Sequence, residues 1–308
     1  MNEPRPAGAP GPLPPSVNYH LWQPCNMRCG YCFAVFADVK STVLPKGHLP
    51  KPEALAVAEA LARRFEKVTF VGGEPTLCPW LFELVRCTKE AGAVTMIVTN
   101  GSVVDDAWFD RFAGWLDWFT LSIDSASSAH NIEVGRVLRG HPLLPEHHIG
   151  LAHAARARGM RLKVNTVVTR GNAGEDMREL LEELAPERWK IFQALPVEGQ
   201  NDARFGELSC TEDAFRQFIE RHAPLRERGI AVVPEDNHLM RGSYAMVDPA
   251  GRFYDNVDGP HRYSRPILRV GVEAAWGDVA FSMERFDERG GRYEIGSAGG
   301  RQLPVIGG

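Results

Sequence analysis

The sequence predicts an α/β fold, a partial open (β/α)6 barrel with a C-terminal extension capping the active site. Three observations carry that expectation. A strand-like run followed by a helix-like run recurs about six times between residues 16 and 199. That rhythm favours parallel strands joined by right-handed helical crossovers. Six units are fewer than the eight of a closed barrel, so the sheet should stay open. Nearly every unusual motif falls at the C-terminal end of a strand, where such sheets bind ligands.

Taken in order, Val17–Trp22 reads as a strand and leads into a cysteine loop. Pro52–Phe65 has helical spacing, with Pro52 suited to a first turn. Val68–Val71, Val94–Thr99, Trp118–Ile123, Leu162–Val168 and Trp189–Leu195 read as further strands. Pro79–Ala91, Asp105–Ala113, Pro145–Arg158 and Gly174–Leu184 read as the helices between them. Ser125–Pro142 reads as a long loop. Beyond residue 199, Thr211–His222 reads as a capped helix, Ile230–Val233 as a strand and Asn237–Arg269 as loop-rich. The expected organisation is a disordered Pro-rich tail over 1–15, the barrel over 16–199, and an extension over 200–308 that closes the substrate pocket at the barrel mouth.

Hydrophobic residues make up 44% and charged residues 24% of the 308, which excludes a disordered chain. The formal net charge of −4 offers no general polyanion surface, so no nucleic-acid partner is expected. No apolar run reaches the roughly 18 residues needed to span a bilayer. The first fifteen residues, MNEPRPAGAPGPLPP, have neither a signal-peptide layout nor a basic amphipathic pattern. A soluble cytoplasmic protein without a membrane partner is the expectation.

Three of the six cysteines crowd into Cys25-Asn-Met-Arg-Cys29-Gly-Tyr-Cys32. Three thiolates on one short loop can ligate three corners of a cubane iron–sulfur cluster. No fourth cysteine is near in sequence, so one iron would keep an open position, as a catalytic metal requires. A zinc site completed by His20 or Cys78 is the competing reading, although zinc sites usually pair two C-x-x-C hooks. Cys78, Cys87 and Cys210 are scattered and read as small buried hydrophobes.

This C-x3-C-x2-C loop after the first strand, with Tyr31 beside its last cysteine, resembles the radical S-adenosylmethionine (SAM) superfamily. The resemblance implies a [4Fe–4S] cluster on Cys25, Cys29 and Cys32. It also implies that SAM binds the open iron and is cleaved to a 5′-deoxyadenosyl radical. An external electron donor such as flavodoxin or ferredoxin follows from that chemistry.

Within that frame, Gly72-Gly73-Glu74-Pro75 resembles the superfamily's motif for the SAM amino group. Glycines allow close backbone approach, and Glu74 offers a negative partner to an ammonium. Asn100, in Thr99-Asn100-Gly101-Ser102, ends the third strand. Thr120, Ser122 and Asp124 share one face of the fourth, a costly arrangement unless that face meets ligand or water. Ser122 is the expected hydroxyl contact for SAM, and Arg136 the expected partner of its carboxylate.

A second pocket is readable in the next two strands. Lys163 and Asn165 share one face of the fifth, and Arg188 and Lys190 one face of the sixth. Lys40 and Arg170 are candidates to join them. Converging cations repel without an anion of several charges, which a triphosphate would supply.

The runs Ser16-Val-Asn-Tyr-His20, Lys163-Val-Asn165, Arg188-Trp-Lys-Ile-Phe-Gln193, Ser243-Tyr244, Val270-Gly-Val-Glu273 and Arg289-Gly-Gly-Arg-Tyr293 are similar to viperin and its microbial relatives. Animal viperins carry an N-terminal amphipathic membrane helix, where this chain has a Pro-rich tail. The resemblance implies an enzyme that converts a ribonucleoside triphosphate (CTP, UTP or GTP) to its 3′-deoxy-3′,4′-didehydro form. The radical takes the 4′ hydrogen and the 3′-hydroxyl leaves as water. Such a product terminates chains and would act against phage. The resemblance places Lys40, Lys163, Arg188 and Lys190 on the phosphates, Asn165 on phosphate or ribose, and Tyr244 as the proton donor. Two alternatives stay open: a radical SAM enzyme acting on a peptide or cofactor precursor, and a non-catalytic nucleotide sensor.

Overall fold

The computed structural model describes residues 11–296. Its centre is one ten-stranded sheet. The strands are β1 Ser16–Trp22, β2 Lys67–Gly72, β3 Val94–Thr99, β4 Trp118–Ser122, β5 Arg161–Val168, β6 Arg188–Gln193, β7 Ala231–Glu235, β8 Met246–Val247, β9 Arg252–Asp255 and β10 Arg262–Pro266. β1 to β7 lie side by side in chain order and parallel, and β8 joins the free edge of β1, also parallel. β9 and β10 continue that edge antiparallel, and the sheet does not close. The expected open barrel is therefore present, widened at both edges by the extension.

Strand alternation explains why the barrel holds a cavity. In β1, Val17, Tyr19 and Leu21 are buried in the core, while Ser16, Asn18 and His20 face inward. In β6, Trp189 and Ile191 pack outward under the helices, while Lys190 and Phe192 face the cavity. A parallel strand covered on both faces would read apolar throughout, so this polar alternation marks an interior that is not filled with side chains. The crossover helix Lys51–Ala62 buries Ala54, Val57, Ala58 and Leu61 against the sheet. Helix Asp106–Phe112 starts where the Asp105 carboxylate accepts from Trp108 N at 2.8 Å.

The structure corrects several sequence-based boundaries. The helix expected from Gly174 begins only at Arg178. Its forerunners serve the end of β4 instead: Asn172 Nδ2 donates to Asp124 O at 2.7 Å, and Glu175 accepts from Ser125 Oγ at 2.6 Å. The loop expected over Ser125–Pro142 contains the helix Ser128–Glu133, capped by Ser127. A short helix, Ala37–Thr42, follows the cysteine loop. The loop-rich Asn237–Arg269 contributes β8, β9 and β10, strands too short for a periodic signal.

Residues 11–15, read as part of a disordered tail, are tied down. Pro15 O accepts from Lys67 N at 3.1 Å, and Gly11 O accepts from the Trp276 indole at 3.1 Å. The rest of that tail, 1–10, and the final residues of the extension, 297–308, lie outside the described residues. Arg289–Gly296 forms a strap across the barrel floor, opposite the cysteine loop. Trp118 Nε1 donates to Ile295 O at 3.1 Å, and Arg161 Nη1 to Gly296 O at 2.9 Å. Lys67, Trp118, Arg161 and Arg188 open β2, β4, β5 and β6, so the strap meets the N-terminal ends of those strands. Among the described residues, no helix is long and apolar enough to cross a membrane.

Candidate active site

A cavity of about 610 Å³ runs through the barrel, with Cys25, Cys29 and Cys32 among its walls. That volume suits a cofactor and a small substrate. The cysteine loop is fixed from two sides. Gln23 N donates to Gly47 O at 2.9 Å, and Arg28 N and Gly30 N donate to Gly135 O and Val134 O at 3.1 and 2.8 Å. All three cysteines are free and half-buried.

These residues fit an iron–sulfur cubane. Among the described residues, no three His, Cys, Asp or Glu side chains converge as ligands of a single ion would. A cubane does not ask for that, because each thiolate takes a separate iron. Burial pushes the Cys32 thiol up to about 12, a group that a bound cation would deprotonate.

The Gly-Gly-Glu-Pro turn is pressed against this loop. Gly73 N donates to Trp22 O at 2.5 Å and Glu74 N to Pro24 O at 3.0 Å. A Cβ on Gly73 would lie 2.2 Å from Gln23 O and 2.5 Å from Pro24 O. Glu74 is buried, and its carboxylate is spent on protein donors: Thr76 N at 3.0 Å, Thr99 Oγ1 at 2.7 Å and Asn100 N at 2.8 Å. It ties the ends of β2 and β3 together. Asn100 Nδ2 donates to Asn26 Oδ1 at 2.9 Å, which carries that junction to the cysteine loop. Gly72, Gly73, Glu74, Asn100 and Ser122 all line the cavity.

Arg136 also lines it, held in an ion pair with Asp124 at 2.9 Å and with Nη1 3.9 Å from Cys29 Sγ. Burial opposes its charge, and the Asp124 carboxylate outweighs burial and keeps the guanidinium ionised. Asp124 also accepts from the Tyr31 hydroxyl and from Val167 N at 2.7 Å. This buried carboxylate is the anchor of Arg136; the sequence places it on the same polar face as Ser122 but does not show that its partner is Arg136.

At the floor, the structure brings Lys163, Asn165, Arg188 and Lys190 together. Lys163 pairs in register with Arg188, and Asn165 with Lys190. Lys67, Arg289, Tyr293 and Glu235 join them without having been expected. Tyr293 lies under the Lys67 ammonium and the Arg188 guanidinium, each 4.3 Å from the ring centroid. Lys190 Nζ pairs with Glu235 and donates to Tyr244 Oη at 2.9 Å. Tyr244 donates to Glu235, and the Arg289 guanidinium sits 3.6 Å from the Tyr244 ring centroid. Arg289 Nη1 approaches Glu235 at 3.5 Å.

Burial raises the cost of the Glu235 charge, but Lys190 and Arg289 reverse that and hold it ionised. Burial lowers Lys190 well below its ordinary value in spite of Glu235, and burial, then the nearby Lys163, does the same to Lys67. Among the described residues no carboxylate pairs with Lys163. Burial, then the nearby Arg188, lowers it to about 7. Burial pushes the Tyr244 phenol well above its ordinary range, so it stays protonated.

Three expected phosphate residues differ. Arg188 is not among the residues that line the cavity: its Nη2 donates to Gly290 O at 2.7 Å and its guanidinium lies against the Tyr293 ring. Lys40 lines the cavity but is exposed at its rim. Arg170 lies outside the cavity: β5 ends at Val168, and Arg170 N donates to Leu208 O at 2.9 Å, so the side chain runs over the outer helix to Gly206 O at 3.3 Å. Lys67 carried a readable signal, since Lys67, Thr69 and Val71 alternate as Lys163 and Asn165 do. Glu235, Arg289 and Tyr293 stand in segments without such periodicity.

The sequence family described as the Radical SAM superfamily matches residues 21–184. An S-adenosylmethionine-dependent nucleotide dehydratase of Flammeovirga pacifica is 47% identical over 283 residues, covering 91% of this chain and 96% of its own length. One from Lacinutrix mariniflava is 45% identical over 281 residues, with 91% of this chain matching 58% of that protein. One from Danio rerio is 36% identical over 299 residues, or 92% and 79% of the two chains. Among solved structures, Streptococcus suis SuiB bound to S-adenosylmethionine superposes with a TM-score of 0.66 at 15% identity, covering 90% of this chain and 68% of that one. At that identity the likeness bears on the fold alone. The three-cysteine loop, the glycine turn packed on it and the extent of these matches agree: this chain belongs to the radical SAM superfamily, among the S-adenosylmethionine-dependent nucleotide dehydratases.

Proposed function

We propose that this enzyme removes water from a ribonucleoside triphosphate, giving its 3′-deoxy-3′,4′-didehydro analogue. The observation that carries the reading is the charge at the barrel floor. Lys67, Lys163, Arg188, Lys190 and Arg289 are buried there around Glu235. Buried cations in such excess call for a polyanion, and Arg and Lys bind phosphate oxygens directly.

Cys25, Cys29 and Cys32 would hold the [4Fe–4S] cluster, and the Gly72–Gly73 turn, Asn100, Ser122 and Arg136 would surround SAM. Together these cofactors supply the 5′-deoxyadenosyl radical that takes the 4′ hydrogen of the ribose. The phosphates occupy the floor, with Asn165 above them on β5, which sets the ribose between floor and cysteine loop. Loss of the 4′ hydrogen atom, entry of one electron and one proton, and departure of the 3′-oxygen as water complete the change. Tyr244 supplies that proton from Oη. Lys190 at 2.9 Å and the Arg289 guanidinium over the ring stabilise the phenolate left behind.

An external one-electron carrier of the flavodoxin or ferredoxin kind supplies the electrons, and the enzyme works in the cytoplasm. Its product lacks the hydroxyl needed for chain extension, which fits a role in defence against phage. The test is to incubate reduced enzyme and SAM with CTP, UTP, GTP and ATP separately. Mass spectrometry should find loss of one water from one nucleotide; no dehydrated nucleotide in any reaction overturns the reading.

A further inference from the structure

Beside the cavity, three buried polar atoms in one aromatic cluster have no hydrogen-bond partner among the described residues: His20 Nδ1, Tyr254 Oη and His261 Nε2. The residues are 4%, 1% and 6% exposed. Buried groups of this kind are almost always satisfied, and an orphan in a native fold calls for an explanation. Here the orphans are neighbours. The His20 and Tyr254 rings are 5.6 Å apart and the Tyr254 and His261 rings 4.6 Å, around the edge of Phe36. A buried water typically makes about three hydrogen bonds, the number these atoms offer.

The cluster spans from cavity to surface. His20 stands on the inner face of β1 and lines the cavity, as Tyr244 does. On the far side, His261 Nδ1 lies 3.4 Å from Tyr263 Oη, which bonds Asp38 Oδ2 at 2.7 Å. Asp38 is exposed. Burial keeps both imidazoles neutral, with His20 lowered to about 3 and His261 to about 4. A neutral imidazole can accept a proton on one nitrogen while releasing one from the other.

We propose that Asp38, Tyr263, His261 and His20, joined by a water held among His20, Tyr254 and His261, form a proton path from the surface to the active-site cavity. The proposal rests on the dehydration reading above, in which each turnover consumes one proton. The path balances without storing charge. A solvent proton adds to Asp38, whose carboxyl proton passes to Tyr263 Oη. The Tyr263 hydroxyl, which donates to Asp38 at rest, turns to give its own proton to His261 Nδ1, the ring being in the tautomer that carries hydrogen on Nε2. The His261 Nε2 proton moves through the water to His20 Nδ1, and the His20 Nε2 proton enters the cavity that Tyr244 also lines, where water in that cavity carries it to the phenolate. Such a path serves the cavity once bound cofactor and nucleotide fill the mouth, with the strap lying across the floor.

The test separates the first turnover from later ones. His261→Phe and Tyr263→Phe keep a ring in the cluster and cut the path at two points. In each, the first turnover, fed by the proton already on Tyr244, should match the wild type. Steady-state turnover should fall about tenfold or more and show a larger solvent deuterium isotope effect than the first turnover does. Nucleotide binding and thermal stability, measured alongside, should change little. Steady-state rates equal to wild type in both variants overturn the path, as does a first turnover that falls as far as the later ones. A crystal structure of the wild-type chain gives an arm independent of the reaction: a water within hydrogen-bond reach of His20 Nδ1 and His261 Nε2 supports the path, and its absence sinks it. If the wild type yields no dehydrated nucleotide at all, the reaction reading fails by itself and the crystallographic arm still decides the path.

Discussion

The hydroxyl of Tyr244 stands between opposite charges, donating to the buried carboxylate of Glu235 and accepting from the ammonium of Lys190 at 2.9 Å. This arrangement keeps the phenol protonated while placing a cation where a phenolate would form. Tyr244→Phe removes the proton but little volume. The variant should cleave SAM at near wild-type rate while dehydrated nucleotide falls by about 100-fold, the scale of a lost general acid. Product yield equal to wild type would remove Tyr244 from proton donation.

The part of the site legible in the sequence is the part built on regular strands. Lys163 with Asn165, and Arg188 with Lys190, stand out because an enclosed parallel strand should carry apolar residues on both faces. The cysteine loop and the Gly-Gly turn are legible because their spacing is local. Glu235 ends β7 at the sheet edge, and Arg289 and Tyr293 arrive on a strap whose course is set by contacts with Trp118 and Arg161. No local pattern encodes such a course. Arg170 shows the converse: its sequence position past a strand end suggests the cavity, yet the chain has already turned outward at Leu208.

Glu235 balances Lys190 and Arg289, so Glu235→Gln should destabilise the protein more than it disturbs its shape. Breaking a buried ion pair from one side typically costs about 3–5 kcal/mol, because the remaining charge is left uncompensated. Thermal unfolding should register that loss. Inorganic tripolyphosphate should restore more stability to the variant than it adds to the wild type, since it replaces the missing negative charge. An unchanged melting temperature would mean that Glu235 adds no net stability.

Lys163 links nucleotide binding to pH. Its folded value of about 7 lies below the ordinary 10.5. Between those values the unfolded chain binds more protons, so this group makes the nucleotide-free protein more stable as pH rises from 7 towards 10.5, and adds no change below 7. A bound triphosphate favours the charged lysine and raises its value again. Binding above pH 7 should therefore take up a proton, and affinity should weaken as pH rises. Titration calorimetry in buffers of different ionisation enthalpy measures the uptake directly. Lys163→Met should reduce this uptake and weaken binding; an undiminished uptake in the variant assigns it to Lys67 or Lys190, which burial also lowers.

Gly73 tests whether the cysteine loop and the glycine turn act as one unit. A methyl group there would meet Gln23 O at 2.2 Å and Pro24 O at 2.5 Å. Both atoms are backbone at the entry to the cysteine loop, so no side-chain rotation relieves the clash. Gly73→Ala must push either the turn off its bond to Trp22 O or the loop carrying Cys25 out of place. Either movement reaches the metal site before it reaches the phosphate floor. The variant should take up less iron and sulfide on reconstitution and lose SAM cleavage, while tripolyphosphate still stabilises it against heat. Gly174→Ala, where an added methyl meets nothing within 4 Å, is the control and should load iron normally. Full iron loading and normal SAM cleavage in Gly73→Ala would show that the loop tolerates displacement and that the close approach is not required.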